Sequence, residues 1–432
     1  MSAELSQSMG PAALLSGADI DGAAKRIAAV VTPTPLQLSD RLSAITGANV
    51  YLKREDLQVV RSYKLRGAYN LLVQLSDEEL AAGVVCSSAG NHAQGFAYAC
   101  RTLGVHGRVY VPAKTPQQKR DRIRYHGGEF IELIVGGTSY DLAAEAALAD
   151  VERTGATLVP PYDDLRTIAG QGTIAVELLD QLDRLGAGEP DLVVVPVGGG
   201  GCIAGITTYL AERTANTSVL GVEPAGAAAM MAALAAGEPV ELDHVDQFVD
   251  GAAVRRAGTL TYAALAAAGD MVSITATDEG AVCTAMLDLY QNEGIIAEPA
   301  GALSVAGLLE ADIEPGSTVV CLISGGNNDV SRYGEVLERS LVHLGLKHYF
   351  LVDFPQEPGA LRRFLDEVLG PDDDITLFEY IKRNNRETGE ALVGIQLASS
   401  ADLDGLLARM RATELHVERL EPGSPAYRYL LF

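Results

Sequence analysis

Short apolar segments alternate with alanine-rich amphipathic segments over most of the chain. The apolar segments are too short for helices and are apolar at successive positions, which is typical of strands buried on both faces of a parallel sheet. They are Val84–Cys86, Arg108–Val111, Phe130–Val135, Asp191–Val197, Ser218–Val222, Val272–Thr275 and Ser317–Ile323. Helical segments between such strands predict an α/β fold. Because one compact domain does not need so many strands, we predict two α/β lobes over residues 21–330, the smaller at roughly 70–170, with a ligand cleft between them.

The pattern changes after Asn328. A helical segment, Val330–Leu344, leads into a tail that reads strand, helix, strand, strand, helix, strand. The pieces are His348–Phe354, Gly359–Leu369, Ile375–Arg383, Leu392–Ala398, Ala401–Thr413 and His416–Leu420. This order predicts a ferredoxin-like domain at 346–432, joined by a linker helix at 331–345. Residues 1–20 show no periodicity, and we expect a flexible arm there.

Charge and cysteine content narrow the class of protein. The 57 acidic and 33 basic residues give a formal charge of −24, which disfavours nucleic acid and anionic membrane surfaces as partners. The cysteines form no CxxC pair and lie in apolar surroundings, which favours reduced thiols and a cytoplasmic location. We find no amino-terminal targeting pattern and no apolar run of the ~18 residues that a membrane span requires.

Lys64 lies between an aromatic and an aliphatic residue at the start of a helical segment, in Arg61–Gly67. A lysine that is desolvated in this way can act as an amine nucleophile. A solvated lysine on a helix surface is the ordinary alternative.

The segment Ser87–Gly95 follows the predicted strand at 84–86 directly. Small residues and Asn91 at a strand-to-helix junction expose backbone N–H groups that can bind a carboxylate or a phosphate. A simple helix cap would account for Ser88 and Asn91 but would leave His92 unexplained.

Four consecutive glycines, Gly198–Gly201, lie between a predicted strand and a helix. Such a run allows the backbone to approach an anion closely. The run matches neither the dinucleotide pattern GxGxxG nor the nucleotide loop GxxxxGK[ST], so we expect one small phosphate; a merely flexible loop is the alternative. A further strand ends at Ser324–Asn327, where a serine hydroxyl would face the same cleft, and Glu298–Ala302 precedes it.

Together these motifs resemble those of the fold-type II pyridoxal-phosphate enzymes, which have the tryptophan synthase β-like fold. The resemblance is strongest to the threonine dehydratases of branched-chain amino acid biosynthesis, and it extends from Thr32–Leu36 to Phe354–Leu361, which is similar to the start of their ACT-like regulatory domain. It implies that Lys64 binds pyridoxal 5′-phosphate through its amine and acts as the catalytic base. It further implies that the cofactor contacts Asn91, Gly198, Gly199, Gly200, Gly201 and Ser324, with Asp250–Val254 near its ring.

The same resemblance implies the substrate and its reaction. L-Threonine would bind through its carboxylate to the loop of Ser88, Ala89, Gly90, Asn91 and His92 and would yield 2-oxobutanoate and ammonia, the first step of isoleucine biosynthesis. Serine racemases carry an acid/base serine where this chain has Ala89, so we expect poor racemisation. Their divalent cation site would correspond to Glu223, Ala227 and Ala229, and because the last position lacks an aspartate we expect no required divalent metal, leaving a monovalent cation open.

The resemblance also implies regulation by the C-terminal domain, with isoleucine inhibiting, valine opposing it, and effector sites formed between subunits of a homotetramer. A domain that only mediates dimerisation is an alternative. For the whole chain, the alternatives are another fold-type II enzyme, such as a serine dehydratase, racemase or threonine synthase, or an amino acid sensor without catalysis.

Overall fold

The computed structural model describes residues 15–380 and 387–427. The chain divides into two compact units, Met1–Asp329 and Val330–Phe432. No described helix is long and apolar enough to cross a membrane.

The first unit begins with a helix where we expected part of a flexible arm. Helix α1 (Gly17–Ile27) is capped by Ser16, whose hydroxyl accepts from the Asp19 N–H while the Asp19 carboxylate accepts from the Ser16 N–H. This reciprocal cap and the buried Ile20 fix the helix start, so the expectation of a flexible arm up to residue 20 is wrong for residues 17–20. Residues 1–14 of the expected arm lie outside the described residues.

The larger sheet of the first unit has six strands in the order β1-β2-β10-β7-β8-β9. All neighbouring pairs are parallel except β1 with β2. The strands are β1 (Leu36–Leu38), β2 (Asn49–Arg54), β7 (Leu192–Pro196), β8 (Ser218–Pro224), β9 (Val272–Thr277) and β10 (Thr318–Ile323). Every residue of β10 is buried, as a strand covered on both faces requires.

The smaller sheet is fully parallel, in the order β5-β4-β3-β6. Its strands are β3 (Val84–Ser87), β4 (Gly107–Val111), β5 (Ile131–Val135) and β6 (Thr157–Leu158). The two sheets confirm the two-lobed α/β prediction, and the predicted strands are all present. The strands β1, β2 and β6 escaped the sequence pattern.

Helices connect and cover the strands of both sheets. They are α2 (Asp40–Thr46), α3 (Lys64–Leu72), α4 (Asp77–Ala82), α5 (Asn91–Leu103), α6 (Gln117–Gly127), α7 (Tyr140–Thr154), α8 (Leu165–Leu185), α9 (Gly201–Arg213), α10 (Ala229–Ala236), α11 (Thr259–Ala268), α12 (Glu279–Glu293) and α13 (Pro299–Glu310). The ends of β3, β7 and β10 each lead directly toward a segment with candidate chemistry. This arrangement is the one in which parallel sheets present ligand sites.

The second unit confirms the predicted ferredoxin-like order. Its elements are α14 (Tyr333–His343), β11 (Lys347–Pro355), α15 (Ala360–Val368), β12 (Asp374–Tyr380), β13 (Thr388–Gln396), α16 (Leu403–Ala412) and β14 (His416–Leu420). The sheet is antiparallel in the order β12-β13-β11-β14, over a core that includes Phe350 and Phe364. The predicted end of its second strand, at 381–383, lies outside the described residues.

The helix that we expected to act as a linker belongs to this second unit. The Glu338 carboxylate on α14 accepts from Lys347 Nζ at 2.5 Å and from the Tyr349 hydroxyl at 2.6 Å, both on β11. These contacts attach α14 to the sheet of the second unit, which the expected linker helix at 331–345 overlaps.

Candidate active site

Buried charges hold the segment that carries Lys64. Arg66, two residues further along α3, donates to both carboxylate oxygens of Glu55 at 2.7 and 2.9 Å and to Glu177 on α8 at 2.7 Å. Lys53 on β2 donates to the same Glu177 at 2.7 Å. Arg66, Glu55 and Lys53 are all completely buried. This network joins β2, α3 and α8, and it therefore fixes the position of Lys64 at the start of α3.

The Lys64 amine is desolvated, although the residue as a whole is half-buried. Its Nζ donates to the backbone oxygen of Pro161 at 2.9 Å and lies 5.3 Å from the centre of the Tyr63 ring. Burial lowers the pKa of Lys64 to about 8, although Cys202 and Glu298 favour the charged form. Roughly a tenth of the amine is thus uncharged at pH 7, far more than for a lysine in water, and this form can act as a nucleophile or a general base.

The glycine run forms a cradle between β7 and α9. Gly200 has a φ of 91°, and no side chain caps the amino terminus of α9. A Cβ atom on Gly199 would lie 2.4 Å from the ring of Tyr162, so only glycine fits there. The carbonyl of Gly199 accepts from the Thr261 hydroxyl at 2.7 Å, which ties the loop to α11. The helix terminus therefore offers backbone N–H donors and the positive end of a dipole to an anion.

The loop from Ser88 to Asn91 leaves the amino terminus of α5 without a side-chain cap. The Gly90 N–H donates to the Ser88 hydroxyl at 3.3 Å, and Ala89 is partly exposed beside it. His92 differs from these residues because its ring is buried and its Nε2 donates to the Val159 oxygen at 2.8 Å. Burial, and then the charge of Lys64, lower the pKa of His92 to about 3, so this ring is neutral.

Two residues that we did not single out from the sequence hold the Asn91 side chain. Its Nδ2 donates to Glu298 Oε1 at 2.5 Å, and its Oδ1 accepts from Asn327 Nδ2 at 2.7 Å. Burial, and then the charge of Asp250, raise the pKa of Glu298 to about 7. Both residues lie in segments that the sequence had marked, 298–302 and 324–327, but the contacts join positions more than 200 residues apart.

Ser324 lies at the end of β10, close to the Lys64 segment. Its hydroxyl is buried and donates to the Ala300 oxygen at 3.2 Å. Its backbone oxygen accepts from the Tyr63 N–H at 3.2 Å, so the chain beside Ser324 touches the residue that precedes Lys64.

The segment Asp250–Val254 lies between the glycine run and the Glu298 segment. A Cβ atom on Gly198 would lie 2.9 Å from Ala252 Cα, and one on Gly251 would lie 2.8 Å from Ala300 Cβ. The structure therefore brings the predicted site segments into one place.

Helices α3 and α5 are in backbone contact at this place. A Cβ atom on Gly95 of α5 would lie 2.9 Å from the Leu65 nitrogen and 3.0 Å from the Lys64 carbonyl carbon. Since α5 begins with Asn91 and α3 with Lys64, this contact determines the spacing of the two residues.

Glu223 occupies the position of the racemase-like cation site but is used otherwise. Its two carboxylate oxygens each accept from a backbone N–H at the start of α10, Met230 and Met231, at 2.8 Å. Burial raises the pKa of Glu223 to about 7. Within residues 15–380 and 387–427, no group of three His, Cys, Asp or Glu side chains is arranged to hold a metal ion.

Comparison with known proteins shows which family of this fold the chain belongs to. A model described as pyridoxal-phosphate dependent enzyme matches residues 27–325, and one described as C-terminal regulatory domain of threonine dehydratase matches 338–430. The L-threonine dehydratase biosynthetic IlvA of Mycobacterium tuberculosis (strain ATCC 25618 / H37Rv) is 90% identical over 433 residues, which cover 100% of both chains. The chain belongs to the threonine dehydratase family of pyridoxal-phosphate-dependent enzymes. More distant members include the protein of the same name from Bacillus subtilis (strain 168), 49% identical over 93% of this chain and 94% of the relative.

Solved structures of the family share the catalytic fold. The processed form of threonine deaminase isoform 2 from Solanum lycopersicum has a TM-score of 0.69 at 38% identity, over 75% of this chain and 94% of its own. A maize serine racemase has the same TM-score, 0.69, at 30% identity, over 76% and 99%. Fold similarity therefore does not separate dehydratases from racemases, whereas the C-terminal domain match does.

The residues of the site fit pyridoxal 5′-phosphate. The desolvated Lys64 amine offers a point of covalent attachment, the glycine cradle offers N–H donors without side chains, and the buried Ser324 hydroxyl offers a neutral polar group.

Proposed function

We propose that this protein catalyses the dehydration and deamination of L-threonine to 2-oxobutanoate and ammonia, as the first step of isoleucine biosynthesis. The observation that carries the proposal is the half-buried, desolvated Lys64 amine with a pKa of about 8, in a unit that also presents the glycine cradle and the uncapped start of α5. Its relatives are named L-threonine dehydratase biosynthetic, which supports threonine as the substrate.

Each site residue has a proposed role. Lys64 attaches the cofactor, Asn91 and Ser324 contact its ring, and Gly198, Gly199, Gly200 and Gly201 hold its phosphate. The substrate carboxylate binds to the N–H groups of the loop Ser88–His92, where the dipole of α5 favours a negative charge. Because the His92 ring is buried and bonded to Val159, its backbone N–H rather than its side chain serves the substrate.

When bound, the cofactor supplies an electron sink for electrons released at the substrate's α-carbon. Lys64, which would attach the cofactor, would also accept the α-proton at Nζ, because burial lowers its pKa to about 8 and makes the uncharged amine easier to reach than for a lysine in water. The β-hydroxyl would then leave as water, taking the proton that it needs from the protonated Lys64 Nζ. Ser324 is neutral, so it stabilises a charged ring nitrogen less than a carboxylate would, which favours loss of the hydroxyl over transamination.

Lys64→Ala tests the central role of the amine. We expect loss of the visible absorption of the covalently bound cofactor and a fall in threonine turnover of about 10²–10⁴-fold, because both attachment and proton transfer require Nζ. Lys25→Ala on the exposed side of α1 is the matched control. If Lys64→Ala retains both the absorption and the turnover, the assignment is wrong.

Substrate profiling separates the alternatives. The purified enzyme is incubated with L-threonine, L-serine or O-phosphohomoserine, and 2-oxobutanoate, pyruvate and threonine are measured. We expect threonine to be preferred over serine by no more than the ~1–3 kcal/mol that one methyl group provides. Racemisation should be slow because Ala89 carries no acid/base group. Turnover of O-phosphohomoserine alone, or none of the three, would favour a threonine synthase or an amino acid sensor.

Regulation by amino acids is also proposed, with isoleucine as inhibitor and valine as its antagonist. The match to the regulatory domain of threonine dehydratase supports an effector role for residues 338–430. We propose effector sites between such domains of two subunits in a homotetramer, since a single domain per chain must pair with another to form a symmetric site. A cytoplasmic location is proposed as well, supported by five free, buried cysteines.

A chain that ends after Asp329 tests the place of this regulation. The first unit has both sheets and its own core, so we expect it to keep threonine turnover and to lose the response to isoleucine. Retained inhibition would place the effector site in the first unit. A full-length enzyme that ignores isoleucine would favour a domain used only for dimerisation, and sedimentation of both forms measures their subunit number.

A further inference from the structure

A cavity of about 630 Å³ opens in the first unit. Its walls come from the chain before α3 and from α6, and none of the site residues proposed above lines it. The lining residues are Val59, Arg61, Gln118, Asp121, Arg122, Tyr125 and His126.

The cavity is positively charged, in a chain whose net charge is −24. Arg61 and Arg122 both line it, and burial and then the charge of Arg61 lower the pKa of Arg122. The lining carboxylate, Asp121, lies 3.4 Å from Arg124 and is exposed. Within the described part of the chain, no carboxylate pairs with Arg61 or Arg122 at 4.0 Å or less. His126 adds no charge at neutral pH because burial lowers its pKa.

Arg61 is held in place although its backbone is strained. Its φ is 56°, and among the described residues it alone has a positive φ without being glycine. The Arg61 N–H donates to the Gln58 oxygen at 2.7 Å, and its carbonyl accepts from the Gly326 N–H at 2.9 Å. Strain that is compensated in this way occurs preferentially at ligand sites. These backbone hydrogen bonds thus hold Arg61 in place in the cavity that it shares with Arg122.

A chain of hydrogen bonds joins the cavity to the active site. Arg122 Nη1 donates to Asn327 Oδ1 at 2.5 Å, and Asn327 Nδ2 donates to Asn91 Oδ1 at 2.7 Å. Asn327 Nδ2 also donates to the Val60 oxygen, next to Arg61, at 2.8 Å. A movement of Arg122 would therefore change the hydrogen bonding of Asn91.

We propose that this cavity binds a small molecule that carries a phosphate group, and that its binding alters catalysis through Arg122, Asn327 and Asn91. Two guanidinium groups without a carboxylate partner repel each other, and a dianion between them removes that repulsion and forms charge-assisted hydrogen bonds. The volume exceeds that of one phosphate and suits a phosphomonoester, while free phosphate is the other source of the same chemistry. This site goes beyond the proposed function, since binding does not depend on turnover.

The test uses the full-length enzyme with its cofactor bound. Inorganic phosphate and glycerol 3-phosphate are titrated by calorimetry at constant ionic strength, and retained cofactor absorption shows that the cofactor's own phosphate is not displaced. We expect one saturable site per chain. Arg61→Gln and Arg122→Gln should each weaken phosphate binding about tenfold or more, as loss of one charged hydrogen-bond partner does.

Arg184→Gln is the matched control, because it removes the same charge from an exposed position on α8 and should leave phosphate binding unchanged. Arg122→Lys distinguishes loss of the site from misfolding. It keeps the positive charge, so it should still bind phosphate, although more weakly than the unmodified enzyme. Tighter binding of glycerol 3-phosphate identifies an organic phosphate as the ligand, and equal binding identifies free phosphate. No saturable binding, or an affinity in Arg61→Gln and Arg122→Gln that is unchanged from that of the unmodified enzyme, would overturn the site.

A separate measurement tests the proposed coupling between phosphate binding in the cavity and catalysis. In the unmodified enzyme, saturating phosphate should change the KM for threonine or the absorbance of the bound cofactor at least twofold. This response should disappear in Arg122→Lys, because lysine cannot reproduce the geometry of the hydrogen bond from Arg122 to Asn327. Saturable binding with no change in KM, kcat or spectrum would refute the coupling.

Discussion

The Asn91 amide and the Glu298 carboxylate are hydrogen-bonded at 2.5 Å in the interior of the active site. Glu298 is 5% exposed, and burial raises its pKa to about 7. The site thus contains a carboxyl group that titrates near neutral pH directly behind the side chain proposed to contact the cofactor.

This relationship predicts a pH dependence of stability. A carboxyl whose pKa rises from 4.5 to about 7 on folding holds its proton more tightly in the folded chain. Folding therefore suffers no penalty below pH 4.5, and stability is lost as the pH rises from 4.5 to about 7, by on the order of 3 kcal/mol in total for such a shift.

Glu298→Gln should remove this loss while its amide oxygen still accepts from Asn91. Urea unfolding at about pH 5 and about pH 8 measures the difference, which should favour the variant more strongly at pH 8, where the full loss is present, than at pH 5, where only its first part is. Glu223, whose pKa is raised in the same way, contributes to both proteins equally and cancels. An equal difference at both pH values would show that Glu298 does not titrate in this range.

Gly199→Ala tests the phosphate cradle. The new methyl group would lie 2.4 Å from the Tyr162 ring, so the loop must move away from its present position. We expect the affinity for the cofactor to fall about tenfold or more, measured by titrating the cofactor-free enzyme. Gly136→Ala, where nothing lies within 4 Å of the added atom, is the control. Adding Tyr162→Ala to Gly199→Ala should restore part of the affinity, and a failure to do so would mean that the ring is not the obstacle.

Ser324→Asp tests the neutral group proposed to face the cofactor's ring nitrogen. A carboxylate there would stabilise a charged nitrogen, so we expect a larger share of turnovers to end in transamination, measured as the ratio of aminated cofactor to 2-oxobutanoate. Ser324→Ala, which stays neutral, should keep the original ratio. Unchanged partitioning in Ser324→Asp would refute the proposed role of the neutral hydroxyl.

Arg66→Met tests the buried network behind Lys64. Loss of the guanidinium leaves Glu55 buried without its main partner, and we expect a loss of about 3–5 kcal/mol in the free energy of unfolding. Arg184→Met removes an exposed arginine and should change the free energy little. Equal effects would mean that water or neighbouring groups compensate for the buried charge.

The sequence predicts most of the framework because burial leaves a local trace. Strands covered on both faces are apolar at successive positions, and β10 is an example. Strand β2 was missed because Lys53 and Arg54 look like surface charges, and the partner that allows Lys53 to be buried, Glu177, lies 124 residues away. The start of α1 carried a readable signal, the Ser16–Asp19 cap, that we overlooked.

The candidate site could be proposed from the sequence where one segment carries its own chemistry, as at Lys64 and the glycine run. Glu298 and Asn327 were not, because their importance comes from meeting Asn91 across more than 200 residues. The burial of His92 was equally invisible, since it depends on the Val159 carbonyl, 67 residues away.

The backbone contact at Gly95 has a consequence for how this site can change over time. Even a methyl group there would force α3 and α5 apart, because the nearest backbone atoms would lie at 2.9 and 3.0 Å. The distance between the amine of Lys64 and the amide of Asn91 therefore cannot drift by gradual substitution within the helix pair. Any change at position 95 would therefore alter the spacing of the two helices, whereas Ala89, which is partly exposed, lies outside this contact.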